Sequence, residues 1–285
     1  MSDVQLAYPP SDEADRLGTR LFDRYRHDLD LPVEWNETLD TVLAHRSVRA
    51  YTRDPVPDGA IELAVAAAQS AASSSNLQPW SVVAVEDPAR KARLAALAGN
   101  QTQILQAPLL LLWIVDHHRL TRSGERIGTP AGALHYLESF LLGAVDTSLA
   151  AQSAVVALES IGLGSCYIGG IRNRPAEVAA ELGLPPNVFA LFGLTIGYPD
   201  PQRPASVKPR LPQAALLFRE TYGAGDDPLA LAAYDRRLRS FQREQGMVER
   251  DWTEQAAQRV GDHHLARSGR HRLRDILHGL GFGLE

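Results

Sequence analysis

Between Ser139 and Leu158 the chain carries one ionisable side chain, Asp146. Across the wider stretch Tyr136–Ile161, apolar residues recur at helical spacing around most of the circumference, and Gly162 closes the run. A helix apolar on nearly every side must be buried on nearly every side. The stretch is almost long enough to span a bilayer. However, Asp146, Thr147, Ser148, Gln152 and Ser153 sit at its centre, where hydrocarbon tolerates them least. A core helix of a soluble protein is therefore expected, with a second subunit covering one face. A chain of 285 residues can bury roughly three-quarters of its unfolded surface, so no metal or disulfide is needed to hold the fold.

The remaining elements follow from shorter patterns. Pro9-Pro10 precedes an amphipathic run, Asp12–Arg26, read as a short helix. The turn cluster from Asp54 to Gly59 leads into an alanine-rich helix at Ala60–Ala72. Ser81–Val85 is a β-branched run ending at Asp87-Pro88, hence a strand. Arg90–Ala98 is helical, with Lys91 on its exposed face. Leu109–Val115 is apolar without alternation, so this strand should be covered on both faces. Cys166–Gly169 and Phe189–Ile196 read as strands around a helix at Pro175–Leu182, and two long helices are expected at Pro228–Gln245 and Trp252–Leu280. Strands and helices do not alternate in βαβ units, so the fold class is α+β.

Charge excludes some functions. The chain has 34 acidic and 29 basic residues. Residues 1–44 hold ten acids and four arginines, while residues 226–285 balance ten of each. The arginine-rich tail thus lacks the net basic face that nucleic-acid binding requires. One cysteine, Cys166, rules out an intramolecular disulfide and multi-cysteine metal sites. His117-His118 and His263-His264 are adjacent pairs whose rings point apart, so no metal is expected. The first residues show neither a basic nor an apolar signal region, which points to the cytoplasm without membrane attachment. Only Lys91 and Lys208 are lysines; every other basic residue is arginine.

Four segments offer chemistry. His45-Arg-Ser-Val-Arg49 is a compact donor set for a phosphate, or else a solvated turn. Ser73-Ser-Ser-Asn-Leu-Gln-Pro-Trp80 presents hydroxyls and amides to a heterocycle edge, or is merely a polar loop. Gly162-Leu-Gly-Ser-Cys-Tyr-Ile-Gly-Gly170 enters a strand from a helix, the reverse of a dinucleotide fingerprint; its paired glycines still suit close approach to a flat ligand. Lys208-Pro-Arg-Leu-Pro212 holds two cations apart on a stiff backbone.

Taken in order, HRSVR, SSSNLQPW, AGNQTQILQAP, GAVDTSLAAQSAVVALESIGLGSCYIGGIRN, LFGLTIGYP and KPRLP resemble the nitroreductase superfamily, and within it the oxygen-insensitive NADPH nitroreductases and flavin reductases. LAAYDRRL, RDW and RDILHGLGF extend the likeness, which covers roughly residues 40–285. It implies a nitroreductase-like fold, a central antiparallel-type mixed sheet flanked by helices, in an intertwined homodimer with two active sites at the interface. Residues 1–39 would form an acidic N-terminal extension, 40–222 an FMN-binding core and 223–285 a C-terminal helical excursion of the same domain.

The resemblance also implies site residues. His45, Arg46 and Ser47 would hold the FMN phosphate with Lys208 and Arg210. Arg49 would face the pyrimidine edge of the ring. Ser73, or its neighbour Ser74, and Gln101 would bond the ribityl chain and ring edge, and Tyr167, Ile168, Gly169 and Gly170 would pass beside the ring. Arg270 and Arg243 would meet the NADPH 2′-phosphate or an acidic substrate. Gln245 stands where the usual companion of Arg270 falls, and Asn76 replaces an aromatic. No general acid, nucleophile or other catalytic side chain is called for, since the flavin carries the hydride chemistry. The implied activity is two-electron, ping-pong reduction of nitroaromatics, quinones or flavins, with NADPH or NADH as co-substrate and small-molecule electron acceptors as partners. The alternative is an FMN-binding protein that stores or senses the cofactor without turning over.

Overall fold

The computed structural model describes residues 13–29, 31–223 and 227–285, without the side chains of Glu13, Ala14, Asp15, Asp262 and His264. The expected N-terminal extension therefore lies partly outside the described residues. In chain order the helices begin with α1 (Glu13–Tyr25), α2 (Glu37–Leu43) and α3 (Ala60–Gln69). Strand β1 (Trp80–Val85) precedes α4 (Pro88–Leu97) and α5 (Thr102–Gln106), and β2 (Leu109–Asp116) precedes α6 (His118–Arg126) and α7 (Leu137–Ser160). Then follow β3 (Gly164–Ile168), α8 (Pro175–Leu182) and β4 (Val188–Gly197). The chain ends with α9 (Pro228–Glu244), α10 (Trp252–Val260), α11 (Asp262–Ser268) and α12 (Leu273–Gly279).

The chain divides into two compact units. One comprises residues up to Arg46 together with Ser206–Gly261; the other comprises Ser47–Ala205 with Asp262–Glu285. This grouping differs from the three segments expected from the sequence, because α2 and residues 206–222 cluster with α1, α9 and α10.

In the second unit the four strands form an antiparallel sheet in the order β1-β2-β4-β3. An isolated parallel bridge, Ser47 to Ser165, makes it mixed at one edge. β2 is central and its apolar run is fully buried, as the missing alternation predicts. α7 packs on α3 and on one sheet face through Ala150, Ala151, Ala154, Val155 and Leu158. Gly143 permits this closeness, since a Cβ there would lie 2.7 Å from Val115. By length and composition α7 could cross a membrane, but its buried face belongs to this core. It differs from expectation on the other face: Leu137, Leu141, Val145 and Leu149, spaced four apart, are exposed. Burial on nearly every side is not reached within one chain.

The expected helix Trp252–Leu280 is broken into three. Gly261 ends α10, and Gly269 adopts φ +74, a left-handed turn that stops α11. Lys91 also departs from expectation. It is 5% exposed, and its ammonium donates to the carbonyls of Ala107 at 2.6 Å and Pro108 at 3.1 Å. α4 faces inward there, and the long side chain carries its charge to the open end of α5.

In the first unit α1 lies against α2 with Leu17 and Leu21 buried. Arg20 forms a two-pronged pair with Asp40 at 2.6 and 3.1 Å, which holds the Asp40 carboxyl below its ordinary range. Asn36 caps α2 by accepting from the Leu39 amide at 3.0 Å.

Candidate functional site

In the first unit α2 ends at Leu43 and delivers His45 and Arg46 without further helix. Residues 206–212 have no regular secondary structure. Within them the pattern is alternating: Lys208 and Arg210 are exposed, while Pro209 between them is buried and its carbonyl accepts from Tyr234 Oη at 3.0 Å. Arg24, in the last turn of α1, reaches both segments. Its Nη2 donates to the Leu43 carbonyl at 2.9 Å and the His45 carbonyl at 2.8 Å. Its Nη1 lies 3.5 Å from the Lys208 carbonyl, and its own carbonyl accepts from the Arg210 amide at 2.9 Å. Arg46 and Arg210 each donate to a backbone carbonyl, of Ala44 and Lys208 respectively, not to a carboxylate. Lys208 and Arg210 also line a cavity of about 680 Å³ whose wall includes Tyr25, Leu211, Tyr234 and Trp252.

Arg243 belongs to this unit and forks onto Glu249 at 2.9 and 2.8 Å. A solvent-exposed pair of this kind is weak, so the arginine is engaged but releasable. Gln245 accepts from Ser206 Oγ at 2.8 Å.

In the second unit Ser47–Tyr51 is laid along β3. The Val48 amide donates to the Ser165 carbonyl at 2.8 Å. Tyr51 Oη donates to the Val48 carbonyl at 2.6 Å and meets Thr195 Oγ1 at 2.8 Å. Burying Val48 and Tyr51 turns Arg49 outward, where it is exposed. Cys166 is buried, and burial pushes its thiol up despite the Arg49 charge. A thiol so placed is a poor nucleophile.

The loop after α3 is backbone-strained. Ser75, Asn76 and Gln78 adopt φ of +48, +54 and +49. Left-handed non-glycine residues cost on the order of 1–3 kcal/mol each and persist where neighbours hold them. Asp146 is that neighbour. Its buried carboxylate accepts from Ser73 Oγ at 2.7 Å and from the Ser74 amide at 3.2 Å, and Ser73 Oγ accepts from the Gln78 amide at 3.0 Å. Ser73, expected to bond a ribityl chain, thus already donates to Asp146 and accepts one bond. Asp146, the one ionisable residue in the apolar run of α7, anchors this loop.

Gln101 and Gly170 are brought together: a Cβ on Gly170 would lie 2.3 Å from Gln101 Nε2 and 2.4 Å from the Ala98 carbonyl oxygen. Glycine is required there by the chain's own closeness, independently of any ligand. Gly169 is more open, with only the Arg172 guanidinium near its missing Cβ. Its carbonyl accepts from Arg270 Nη2 at 2.7 Å, and Arg270 Nε donates to Asn173 Oδ1 at 2.9 Å. Ile168 is buried, and Tyr167 packs edge-on against Phe192 and donates to Gln152 Oε1 at 3.3 Å. Arg24, Asn173 and the anchoring role of Asp146 were not foreseen. Only Asp146 gave a signal, as the lone charge in an apolar helix. Among the described residues no cluster suited to a metal ion occurs.

The chain is similar to known proteins over most of its length. The nitroreductase family matches residues 42–198, and the nitroreductase family C-terminal domain matches 208–285. The FMN reductase [NAD(P)H] of Bacillus subtilis (strain 168) is 37% identical over 254 residues, covering 88% of this chain and 99% of that protein. The oxygen-insensitive NADPH nitroreductase of Salmonella typhimurium is 38% identical over 204 residues, covering 72% and 82%. The structure of the hypothetical oxidoreductase YcnD from Bacillus subtilis superposes with a TM-score of 0.82 at 35% identity, covering 88% of this chain and all of that one. With both parts of the family matched and the fold shared, the chain belongs to the nitroreductase family.

Proposed function

We propose that the protein is an FMN-dependent oxidoreductase that uses NAD(P)H for two-electron reduction of nitroaromatics, quinones or flavins, reductant and acceptor occupying one site in turn. The observation that carries this is the donor set. Among the described residues Arg46 and Arg210 donate to backbone carbonyls and pair with no carboxylate, and Arg49 is exposed while its charge acts on a buried, unreactive Cys166. Such donors fit a phosphate and an electron-rich ring edge, and among the described residues the one cysteine is buried with its thiol pushed up.

Bound FMN would supply the hydride chemistry. His45, Arg46, Ser47, Lys208 and Arg210 would hold its phosphate. Arg49 would stabilise negative charge at the pyrimidine edge, a fixed guanidinium needing no reorganisation. Ser73 and Gln101 would bond the ribityl chain, Ser73 by its remaining lone pair. Tyr167, Ile168, Gly169 and Gly170 would line the ring, the Gly169 segment kept in place by Arg270. Arg270 and Arg243 would meet the NADPH phosphate or an acidic acceptor.

The exposed stripe Leu141, Val145 and Leu149 on α7 supports a homodimer, and the buried lone cysteine suits a cytoplasmic enzyme. Mixing the flavin-loaded protein anaerobically with NADPH tests the reading. Rapid bleaching of the visible flavin band is expected; a flavin that binds but never bleaches with NADPH or NADH would mark a storage or sensing protein instead.

A further inference from the structure

We infer that Arg24 is a positioning residue that sets the grip on the cofactor phosphate; this rests on the reading of Lys208 and Arg210 as phosphate ligands. Arg24 lies before residue 42, where the family match begins, on a helix that belongs to this chain's extension. It nevertheless touches both cation-bearing segments: the carbonyls of Leu43 and His45 on one, and the Lys208 carbonyl and Arg210 amide on the other.

Neither segment can hold itself. Residues 44–46 follow the end of α2, and residues 206–212 make no ladder bonds. Cationic side chains gathered on such backbone repel one another, so their spacing must be imposed from outside. Arg24 imposes it through a planar fork: both Nη2 protons are used on two carbonyls, while Nη1 points toward a third. Lysine, with a compact ammonium, cannot copy that fork. The helix that carries Arg24 is itself fixed by the Arg20–Asp40 pair and by an Arg26–Glu244 pair at 3.0 Å.

Because Arg24 acts on the phosphate cradle, its loss should weaken FMN without weakening riboflavin, which has the same ring and ribityl chain and no phosphate. The test titrates the full-length chain, stripped of flavin, with FMN and with riboflavin, following flavin fluorescence. Arg24→Ala and Arg24→Lys should each lower the preference for FMN over riboflavin about ten-fold, while Arg93→Ala, which breaks a surface pair with Glu181 and touches neither segment, should leave it unchanged. Arg24→Lys keeps the charge and guards against a variant that simply misfolds. Equal losses for both flavins would assign Arg24 to stability alone and overturn the inference. So would an unchanged preference in both Arg24 variants while Lys208→Ala lowers it. If Lys208→Ala itself leaves the preference intact, the phosphate reading falls and the role of Arg24 falls with it.

Discussion

Lys91 and Lys208 are the chain's two lysines, and their surroundings are opposite. Lys91 is buried, its ammonium closed between the carbonyls of Ala107 and Pro108, and burial draws its affinity for the proton below the ordinary lysine range, against the pull of Glu86 and Asp87. Lys208 is exposed beside a buried Pro209. The same side chain therefore does two kinds of work. In one region a charge satisfies backbone and holds elements together; in the other the backbone is satisfied by neighbours and the side chain stands at the surface, where we propose that it meets a phosphate. Stability and binding should separate between them.

The sharpest break is Lys91→Met, which conserves length and leaves two buried carbonyls without their donor. Hydrogen bonds to charged groups are worth about 1.5–3 kcal/mol, so a loss of about 3 kcal/mol and a Tm lower by about 5 °C are expected. FMN affinity of the folded fraction should not move. An unchanged Tm would show that Lys91 is as incidental as its helical position suggests. Lys208→Ala is the converse: flavin-free Tm lowered by less than in Lys91→Met, FMN weakened about 10- to 100-fold and riboflavin unaffected. The flavin must be absent from the melting experiment, because a ligand that binds only the folded state raises Tm by itself.

Asp146 refines the contrast, since it is a buried side chain that anchors a loop we propose lines the flavin site. Asp146→Ala strands Ser73 Oγ and the Ser74 amide and releases a loop with three left-handed residues. A loss of about 1–2 kcal/mol is expected, with faster proteolytic cleavage between residues 73 and 78. Asp146→Asn keeps an acceptor and should recover most of it. Cleavage unchanged in the alanine variant would deny Asp146 its anchoring role.

Where local pattern decides structure, the sequence was readable. The unbroken apolar run of β2 and the long apolar register of α7 dictate burial before any partner is known, and the motif order carried the family. What depends on contacts distant in sequence was not readable. A lysine on an isolated helix reads as solvent-facing, and nothing near Lys91 announces the carbonyls sixteen residues away that receive it. Asp146 stood out, yet its partner Ser73 is separated by 73 positions. Arg24 precedes every motif, so only the folded chain reveals the segments it joins. The long C-terminal helix was misread because the stops at Gly261 and Gly269 interrupt a run whose composition otherwise favours helix.

His117 supplies the smallest effect and a third case for the contrast: a buried group that avoids charge altogether. Its Nε2 lies 3.1 Å from the Ser139 carbonyl, an acceptor only, so that nitrogen carries the proton and donates. Nδ1 is buried without a partner and the ring packs against Phe282. Protonation would place a second N–H where nothing accepts it, and burial accordingly draws His117 below the ordinary histidine value, the Ser139 carbonyl and Asp116 opposing. The unfolded chain then takes up the proton first as pH falls. Stability from this site is complete above about pH 6.5 and declines below it until the lower folded value is passed, by at most about 1.4 kcal/mol per pH unit. His117→Gln keeps a donor for Ser139 and cannot titrate, so its Tm should fall less than the parent's between pH 7.5 and pH 5.5. Parallel curves for the two proteins would mean that the imidazole finds an acceptor on protonation, and that burial at this position, as at Lys91, accommodates charge.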